Sequence, residues 1–255
     1  MTKRFLITGA CGTVGRALAI RLLNEGHTVC LFDSNENGMF GLDQQLKGFT
    51  KNYKCFIGDI RDLKRLLKAF QGVNGVFHCA GLKHVYLSEY NPFEAVNTNI
   101  IGTYNVIEAA LNCNVEKVIF TSSDKAVNPV STMGATKLLS ERLFIQANQS
   151  SGNNSTQFAC VRFGNIINSS GSMLRLFREQ FLNNEPITLT SNEMTRFIID
   201  LDSSIDLCLF AYRHTVGGEI IIRNMGSCYV KDIIKVINTD NKCEIKIIGL
   251  KPGEK

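Results

Sequence analysis

Short apolar runs alternate along the chain with stretches whose apolar residues recur at helical spacing. The runs predict strands over Arg4–Thr8, Thr28–Phe32, Tyr53–Ile57, Gly75–His78, Lys117–Thr121 and Phe158–Val161. Helices are predicted between them at Val14–Asn24, Leu63–Phe70, Phe93–Leu111 and Thr132–Asn148. The third of these carries Val96, Ile100, Thr103, Ile107 and Leu111 as one stripe, expected to be buried. Strand–helix alternation of this kind predicts an α/β fold, a doubly wound parallel sheet with helices on both faces. The pattern changes after Arg162. Gly164 to Ser172 is polar and turn-rich, and the rest reads as a small mixed region: helix Met173–Leu182, strand Ile187–Leu189, helix Asp202–Tyr212, strand Glu219–Ile222, helix Val230–Ile237. The expected division is a first domain over 1–163 and a region over 164–255 that interleaves partly with it. Ser150–Thr156 is the one low-complexity stretch and reads as a surface loop. Lys255 follows Pro252-Gly253-Glu254 with no finishing element, so the chain is expected to be incomplete at this end.

Composition narrows the class. With 44% hydrophobic and 20% charged residues over 255 positions, disorder is excluded and no staple is needed. Nine cysteines, an odd number without a C-x-x-C pair, argue against a zinc site or a secreted disulfide framework. They fit thiols in a reducing cytoplasm, and no metal is expected. No apolar run is long enough to span a bilayer, and Met1-Thr2-Lys3-Arg4 leads into a strand-like run, not a signal peptide. A net charge of +5 without a basic block suits an anionic small molecule better than nucleic acid.

Gly9, Gly12 and Gly15 form G-x-x-G-x-x-G between the first strand and its helix. Glycines there allow positive φ and close approach of a pyrophosphate, and the helix start offers free N–H groups. Asp33 ends the second strand, where a carboxylate accepts hydrogen bonds from an adenosine ribose. The unit is Rossmann-type. Thr13 and Val14 in the turn and Ala80 after the fourth strand are assigned to the cofactor with it. No Arg or Lys lies between Asp33 and Lys47, and Glu36 adds negative charge, so NAD is expected over NADP. Asp59 and Ile60 follow the third strand, beside the adenine; Asp59 is equally well read as a helix N-cap.

The fifth strand runs into Thr121-Ser122-Ser123-Asp124-Lys125, at the sheet edge where open α/β folds bind ligands. Met133 and Lys137 are four apart and share a helix face. Taken singly, Lys137 reads as a surface partner of Glu141, Met133 as core filler and Asp124-Lys125 as a loop pair. Together in one strand–loop–helix segment they read as a site.

Ser122-Ser123-Asp124-Lys125-Ala126-Val127-Asn128-Pro129 and Met133-Gly134-Ala135-Thr136-Lys137 resemble a group within the extended short-chain dehydrogenases/reductases, the UDP-N-acetylglucosamine 4,6-dehydratases. Lys83-His84-Val85, Asn91-Pro92-Phe93-Glu94-Ala95, Asn97-Thr98-Asn99, Arg162-Phe163-Gly164-Asn165, Ser169-Ser170-Gly171-Ser172, Met194-Thr195-Arg196-Phe197 and Lys251-Pro252-Gly253-Glu254-Lys255 extend the resemblance over almost the whole chain. Met133 stands where most short-chain dehydrogenases have Tyr, and Ser123 where the group has Thr. With Asp33, the Met form is most similar to the NAD-dependent, C5-retaining branch.

The resemblance implies oxidation at C4 with hydride passing to NAD, loss of water across C5–C6, and hydride return to C6. It implies Lys137 at the nicotinamide ribose, Lys125 as base at C5, Asp124 as acid to the C6 hydroxyl and Ser123 on the 4-hydroxyl. Lys125 is expected near Lys137, where like charge favours a neutral amine. The O4 proton is left to Lys125, Asp124 or Ser123. Lys83, His84, Asn165, Ser172 and Arg196 are expected on the UDP-sugar, His84 being equally well read as a buried structural histidine and Arg196 taken singly as a surface ion pair. A homo-oligomer is expected. A UDP-sugar 4-epimerase or reductase on the same fold and a silent nucleotide-binding regulator are the competing readings.

Overall fold

The structure is a computed structural model that describes residues 2–49, 52–150, 156–169 and 171–254. Residues 151–155, where a loop is expected, together with Ser170 and Lys255, lie outside the described residues. Six predicted strands form at β1 (Arg4–Thr8), β2 (Thr28–Asp33), β3 (Tyr53–Ile57), β4 (Gly75–His78), β5 (Lys117–Ser123) and β6 (Gln157–Phe163). Later come β7 (Asn165–Ile166), β8 (Ile187–Leu189), β9 (Thr195–Ile199), β10 (Ile220–Ile222), β11 (Ser227–Tyr229) and β12 (Ile245–Ile247). The main sheet has seven strands in the order β10-β6-β5-β4-β1-β2-β3, and every pairing is parallel. The order reverses between β1 and β4. That reversal opens the crevice at the strands' carboxyl ends where such sheets bind ligands.

The helices are α1 (Thr13–Asn24), α2 (Glu36–Leu46), α3 (Leu63–Ala69), α4 (Val85–Tyr90), α5 (Pro92–Ala95), α6 (Gly102–Asn112), α7 (Thr132–Ser150), α8 (Met173–Leu182), α9 (Leu201–His214) and α10 (Val230–Ile237). Two apolar layers cover the sheet. One holds Ile7, Leu18, Leu31, Leu42, Phe77 and Cys208, the other Leu6, Phe32, Phe70, Phe120, Phe144 and Phe158. Alternate residues of one strand, such as Leu6 and Ile7, therefore face opposite layers.

Two stretches differ from the sequence reading. Helix α2 was not predicted, because Gly38 and Gly41 mask its pattern. It forms because Met39, Leu42 and Leu46 bury one stripe and the Asn35 side chain accepts the Gly38 N–H at its start. The single helix expected over Phe93–Leu111 is broken by a π-helical segment, Val96–Ile101. The wider turn shifts the register, so Val96 is exposed while Asn99, Gly102 and Thr103 turn inward. π segments often mark functional sites.

The second region only partly stands apart. β11, β9 and β7 form one small sheet and β12 pairs with β8. Phe177, Ile187, Leu189, Val230 and Ile234 form its own core. Helix α9 returns to the main core through Ile205, Cys208 and Tyr212, and β10 extends the main sheet beside β6. No helix among the described residues is long and apolar enough to cross a membrane.

Phe144 joins α7 to the sheet, with its ring 5.1 Å from Phe120 and 5.6 Å from Phe158. Phe144→Ala should lower unfolding free energy by about 3–5 kcal/mol in urea titration. An effect below about 1 kcal/mol would mean that α7 is held mainly by its polar contacts.

Candidate functional site

A cavity of about 900 Å³ runs along the carboxyl edge of the sheet, lined from Gly9 and Asp33 at one end to Lys125, Asn165 and Ser172 at the other. At the first end Gly9 has φ +68°, and a Cβ there would stand 2.6 Å from the Ala80 nitrogen. Only glycine lets β1 and the residues after β4 approach so closely. Gly12 donates its N–H to the Gly9 carbonyl at 3.1 Å and precedes α1, whose first turn presents Thr13, Val14 and Gly15 to the cavity. The Asp33 carboxylate accepts the N–H of Cys11 on one oxygen and of Asn35 on the other, both at 2.9 Å. Each oxygen keeps a lone pair for a further donor. Burial and the Asp33 charge push the Cys11 thiol up to about 12.

Asp59 is not a helix cap. Asp62 caps α3 by accepting the Arg65 N–H. Asp59 instead receives Arg61, through the backbone N–H at 2.8 Å and the guanidinium at 2.6 Å, which holds its carboxyl below the ordinary range. Arg61 also reaches Glu94 at 3.0 Å. Ile60 is buried against Gly102.

At the centre stands Lys137, only 7% exposed and not a surface partner of Glu141. Its ammonium donates to the Thr121 carbonyl at 3.1 Å and lies 4.6 Å from the Phe120 ring centre. Burial lowers its pKa to about 8, against the opposing pull of Cys79 and Glu141. His78 lies beneath, bonded to Thr8 at 2.7 Å and Thr103 at 3.0 Å, and burial takes it down to about 3. It is neutral and structural.

Beyond Lys137, Ser123, Lys125 and Met133 line the cavity. Met133 is buried. The Ser123 hydroxyl donates to Asp124 at 2.8 Å, and Lys125 meets the same carboxylate oxygen at 3.0 Å. Lys125 also reaches Asn165 at 3.4 Å. Lys125 therefore pairs with Asp124 and reaches Asn165, while Lys137 turns to Thr121; both lysines line the same cavity. Asp124 itself lies behind Ser123 and Lys125, outside the cavity wall.

Lys83, His84, Asn165 and Ser172 all line the far end. His84 is exposed, not a buried structural histidine, and packs against Gly171. Partial desolvation of the ring, then the nearby charge of Lys83, lowers its pKa. The Ser172 hydroxyl is shielded from solvent and has no hydrogen-bond partner among the described residues, at the start of α8. Arg196 is not brought to the cavity. It lies on β9, and its guanidinium folds back onto the Thr195 carbonyl at 2.8 Å.

Two groups of residues escaped the sequence reading as individuals. Asn99 clamps the loop after β4: its side chain accepts the Leu82 N–H at 2.7 Å and donates to the Leu82 carbonyl at 3.0 Å and to Thr136 at 2.9 Å. The π segment that aims it leaves no simple periodic signal. Glu141 and Arg162 form a buried pair next to the site. An acidic residue four places after Lys137 was visible, but its partner lies on a distant element, strand β6.

The family described as polysaccharide biosynthesis protein matches residues 5–255, and the chain belongs to it, within the extended short-chain dehydrogenases/reductases. An uncharacterized membrane protein of Methanocaldococcus jannaschii is 48% identical, covering 99% of this chain and 78% of that protein. A UDP-glucose 4-epimerase of Rickettsia rickettsii is 37% identical, covering 99% and 76%. An inverting UDP-N-acetylglucosamine 4,6-dehydratase of Campylobacter jejuni is 37% identical, covering 99% and 75%. Among solved structures, Pen from Bacillus thuringiensis superposes with TM-score 0.97 at 41% identity, covering 100% of this chain and 80% of that one. The dTDP-glucose 4,6-dehydratase DesIV from Streptomyces venezuelae, solved with NAD and TYD bound, shares the fold with TM-score 0.88 at 18% identity, covering 99% and 86%.

Asn99→Ala strips partners from three polar groups, of which the Thr136 hydroxyl is buried. Unfolding free energy should fall by about 2–3 kcal/mol, and the Leu82 amide should exchange with deuterium much faster. Unchanged exchange at Leu82 would show that the clamp does not hold this loop.

Proposed function

We propose that the chain is an NAD-dependent 4,6-dehydratase of UDP-N-acetylglucosamine, yielding a UDP-4-keto-6-deoxy-N-acetylhexosamine. The observation that carries this reading is that Ser123 and Lys125, which line the cavity together with Met133, both bond the Asp124 carboxylate behind them. Elimination needs one group to take a carbon-bound proton and another to protonate the departing oxygen. An epimerase returns the hydride to C4 and needs neither. That distinction favours the dehydratase over the epimerase named among the relatives.

The cofactor end fits a dinucleotide: the Gly9–Ala80 approach leaves room for a pyrophosphate, α1 offers its first N–H groups, and Asp33 has lone pairs for ribose hydroxyls. NAD, when bound, supplies a hydride acceptor and donor that leaves the overall reaction redox-neutral. Gly9, Gly12, Thr13, Val14 and Gly15 hold the phosphates, Asp33 the adenosine ribose, Asp59, Ile60 and Ala80 the adenine side, and Lys137 the nicotinamide ribose. A 2′-phosphate would meet Asp33 head-on.

Ser123 orients the 4-hydroxyl and relays its proton to Asp124. Asp124 hands that proton back through Ser123 to the leaving C6 oxygen, so the water lost carries the O4 proton. When Asp124 takes up a proton, Lys125 loses its counter-charge and releases its own proton to solvent in the open cavity; the neutral amine then removes the C5 proton and, as the ammonium, returns one to C5. Lys83, His84, Asn165 and the unpartnered Ser172 hydroxyl take the UDP-sugar, the start of α8 facing its negative charge. Arg196 has no part in this assignment. The C. jejuni relative is inverting by name, so the reading extends to either C5 outcome and not to the retaining branch alone.

Incubation with UDP-N-acetylglucosamine should give a product lighter by one water. Unchanged mass in a new isomer would make the chain an epimerase, and no turnover of any UDP-sugar a regulator. Asp124→Asn and Lys125→Met should each lower turnover by roughly 10²–10⁴-fold while NAD affinity in calorimetry is kept; Met133→Leu should be tolerated. Near-normal turnover in Lys125→Met would remove Lys125 from C5. Calorimetry should also show NAD binding tighter than NADP, with the gap narrowed in Asp33→Ala. Tighter NADP binding by the unmutated protein would contradict the role of Asp33.

A further inference from the structure

One ion pair beside the site takes no part in the chemistry above. Glu141 on α7 is fully buried, and Arg162 on β6 grips both of its oxygens, Nε on Oε1 at 2.7 Å and Nη2 on Oε2 at 2.5 Å. The Ser122 hydroxyl on β5 donates to the same Oε1 at 2.5 Å. Ser122 and Arg162 stand opposite each other in the sheet register. One carboxylate thus joins α7, β5 and β6 immediately before Ser123. A buried pair of this kind contributes little net stability, because desolvation offsets most of the Coulombic gain. Its place in the fold suggests another use.

Lys137 lies four residues earlier on the same face of α7. The groups around its ammonium come from every packed element: the Thr121 carbonyl on β5, His78 and Cys79 at the end of β4, Cys160 on β6, and Glu141 on its own helix. His78 is neutral, and burial pushes the thiols of Cys79 and Cys160 far up. Glu141 is therefore the carboxylate among these neighbours, and Arg162 claims both of its oxygens. Without Arg162, a bare carboxylate one turn away would compete with Thr121 for the lysine. Without Glu141, the guanidinium would face the ammonium uncompensated.

We propose that Glu141 and Arg162 act together as a positioning pair for Lys137: Arg162 anchors the Glu141 carboxylate to β6, so that it steadies the ammonium without drawing it off Thr121 and away from the cavity. The proposal rests on reading Lys137 as the ribose-holding group, but its test needs neither cofactor nor substrate. The test is a carbon-13 NMR titration of the ligand-free protein labelled at lysine Cε, with Lys137 assigned through Lys137→Arg. The unmutated protein should titrate near 8. Glu141→Gln, which keeps the shape and one acceptor oxygen but removes the charge, should lower the midpoint by about one pH unit, and Arg162→Met should raise it by a similar amount. The double variant should return toward the starting value. Should Arg162→Met not fold, Arg162→Lys, which keeps the charge but not the fork, should raise the midpoint by less. A purely structural pair would give equal losses of stability without opposite titration shifts. An unmoved midpoint in folded Glu141→Gln, or shifts of the same sign in the single variants, would overturn the proposal. If the shifts appear and no dehydration is seen, the positioning pair stands and the dehydratase reading falls.

Discussion

A lysine ammonium inside a protein is costly, and the neighbourhood of Lys137 is arranged around that cost. Its charge is placed on the Thr121 carbonyl and over the face of Phe120, two interactions that stabilise a cation without neutralising it. His78 and Cys79 beneath it are kept uncharged by burial. The nearby carboxylate of Glu141 is engaged by Arg162. What remains is a cation whose charge is not cancelled from within, at the carboxyl edge of the sheet where β1 and β4 diverge. The same edge carries the Gly9–Ala80 approach and Asp33, so the cofactor end and the reacting end are fixed by one sheet.

The rest of the site follows from how the chain leaves β5. Ser123 ends the strand, the next residues turn tightly, and the turn brings Asp124 and Lys125 onto one oxygen-to-nitrogen contact of 3.0 Å. Like the Lys137 ammonium, this pair is held by backbone that the sheet makes rigid. Pre-organisation of this kind suits chemistry in which a proton must be removed and another delivered within one cavity.

Much of this was legible in the sequence because local patterns carry it. The central parallel strands β1, β2, β4 and β5 are apolar runs, since both of their faces are covered, and the glycine turn sits where its spacing predicts. Asp33, Lys137 and the Ser123–Lys125 run sit at strand ends or on a helix face that periodicity alone can place. What was hidden depends on register or on distant partners. The π segment turns Asn99 inward and Val96 outward, against the α-helical stripe. Asp59 pairs with Arg61 where a cap was an equal reading, because Asp62 takes the cap. Arg196 turns back on its own strand, which no motif reveals, and Lys125 pairs with Asp124 because the turn after β5 aims it there.

The central claim is that hydride taken from C4 is returned to C6 with loss of water, and it distinguishes the dehydratase from an epimerase sharing fold, cofactor turn and nucleotide. Turnover of UDP-N-acetylglucosamine deuterated at C4 tests it most directly. The account predicts a 4-keto product that has lost one water and carries the deuterium in its C6 methyl group. Deuterium retained at C4 in an isomer of unchanged mass would contradict it.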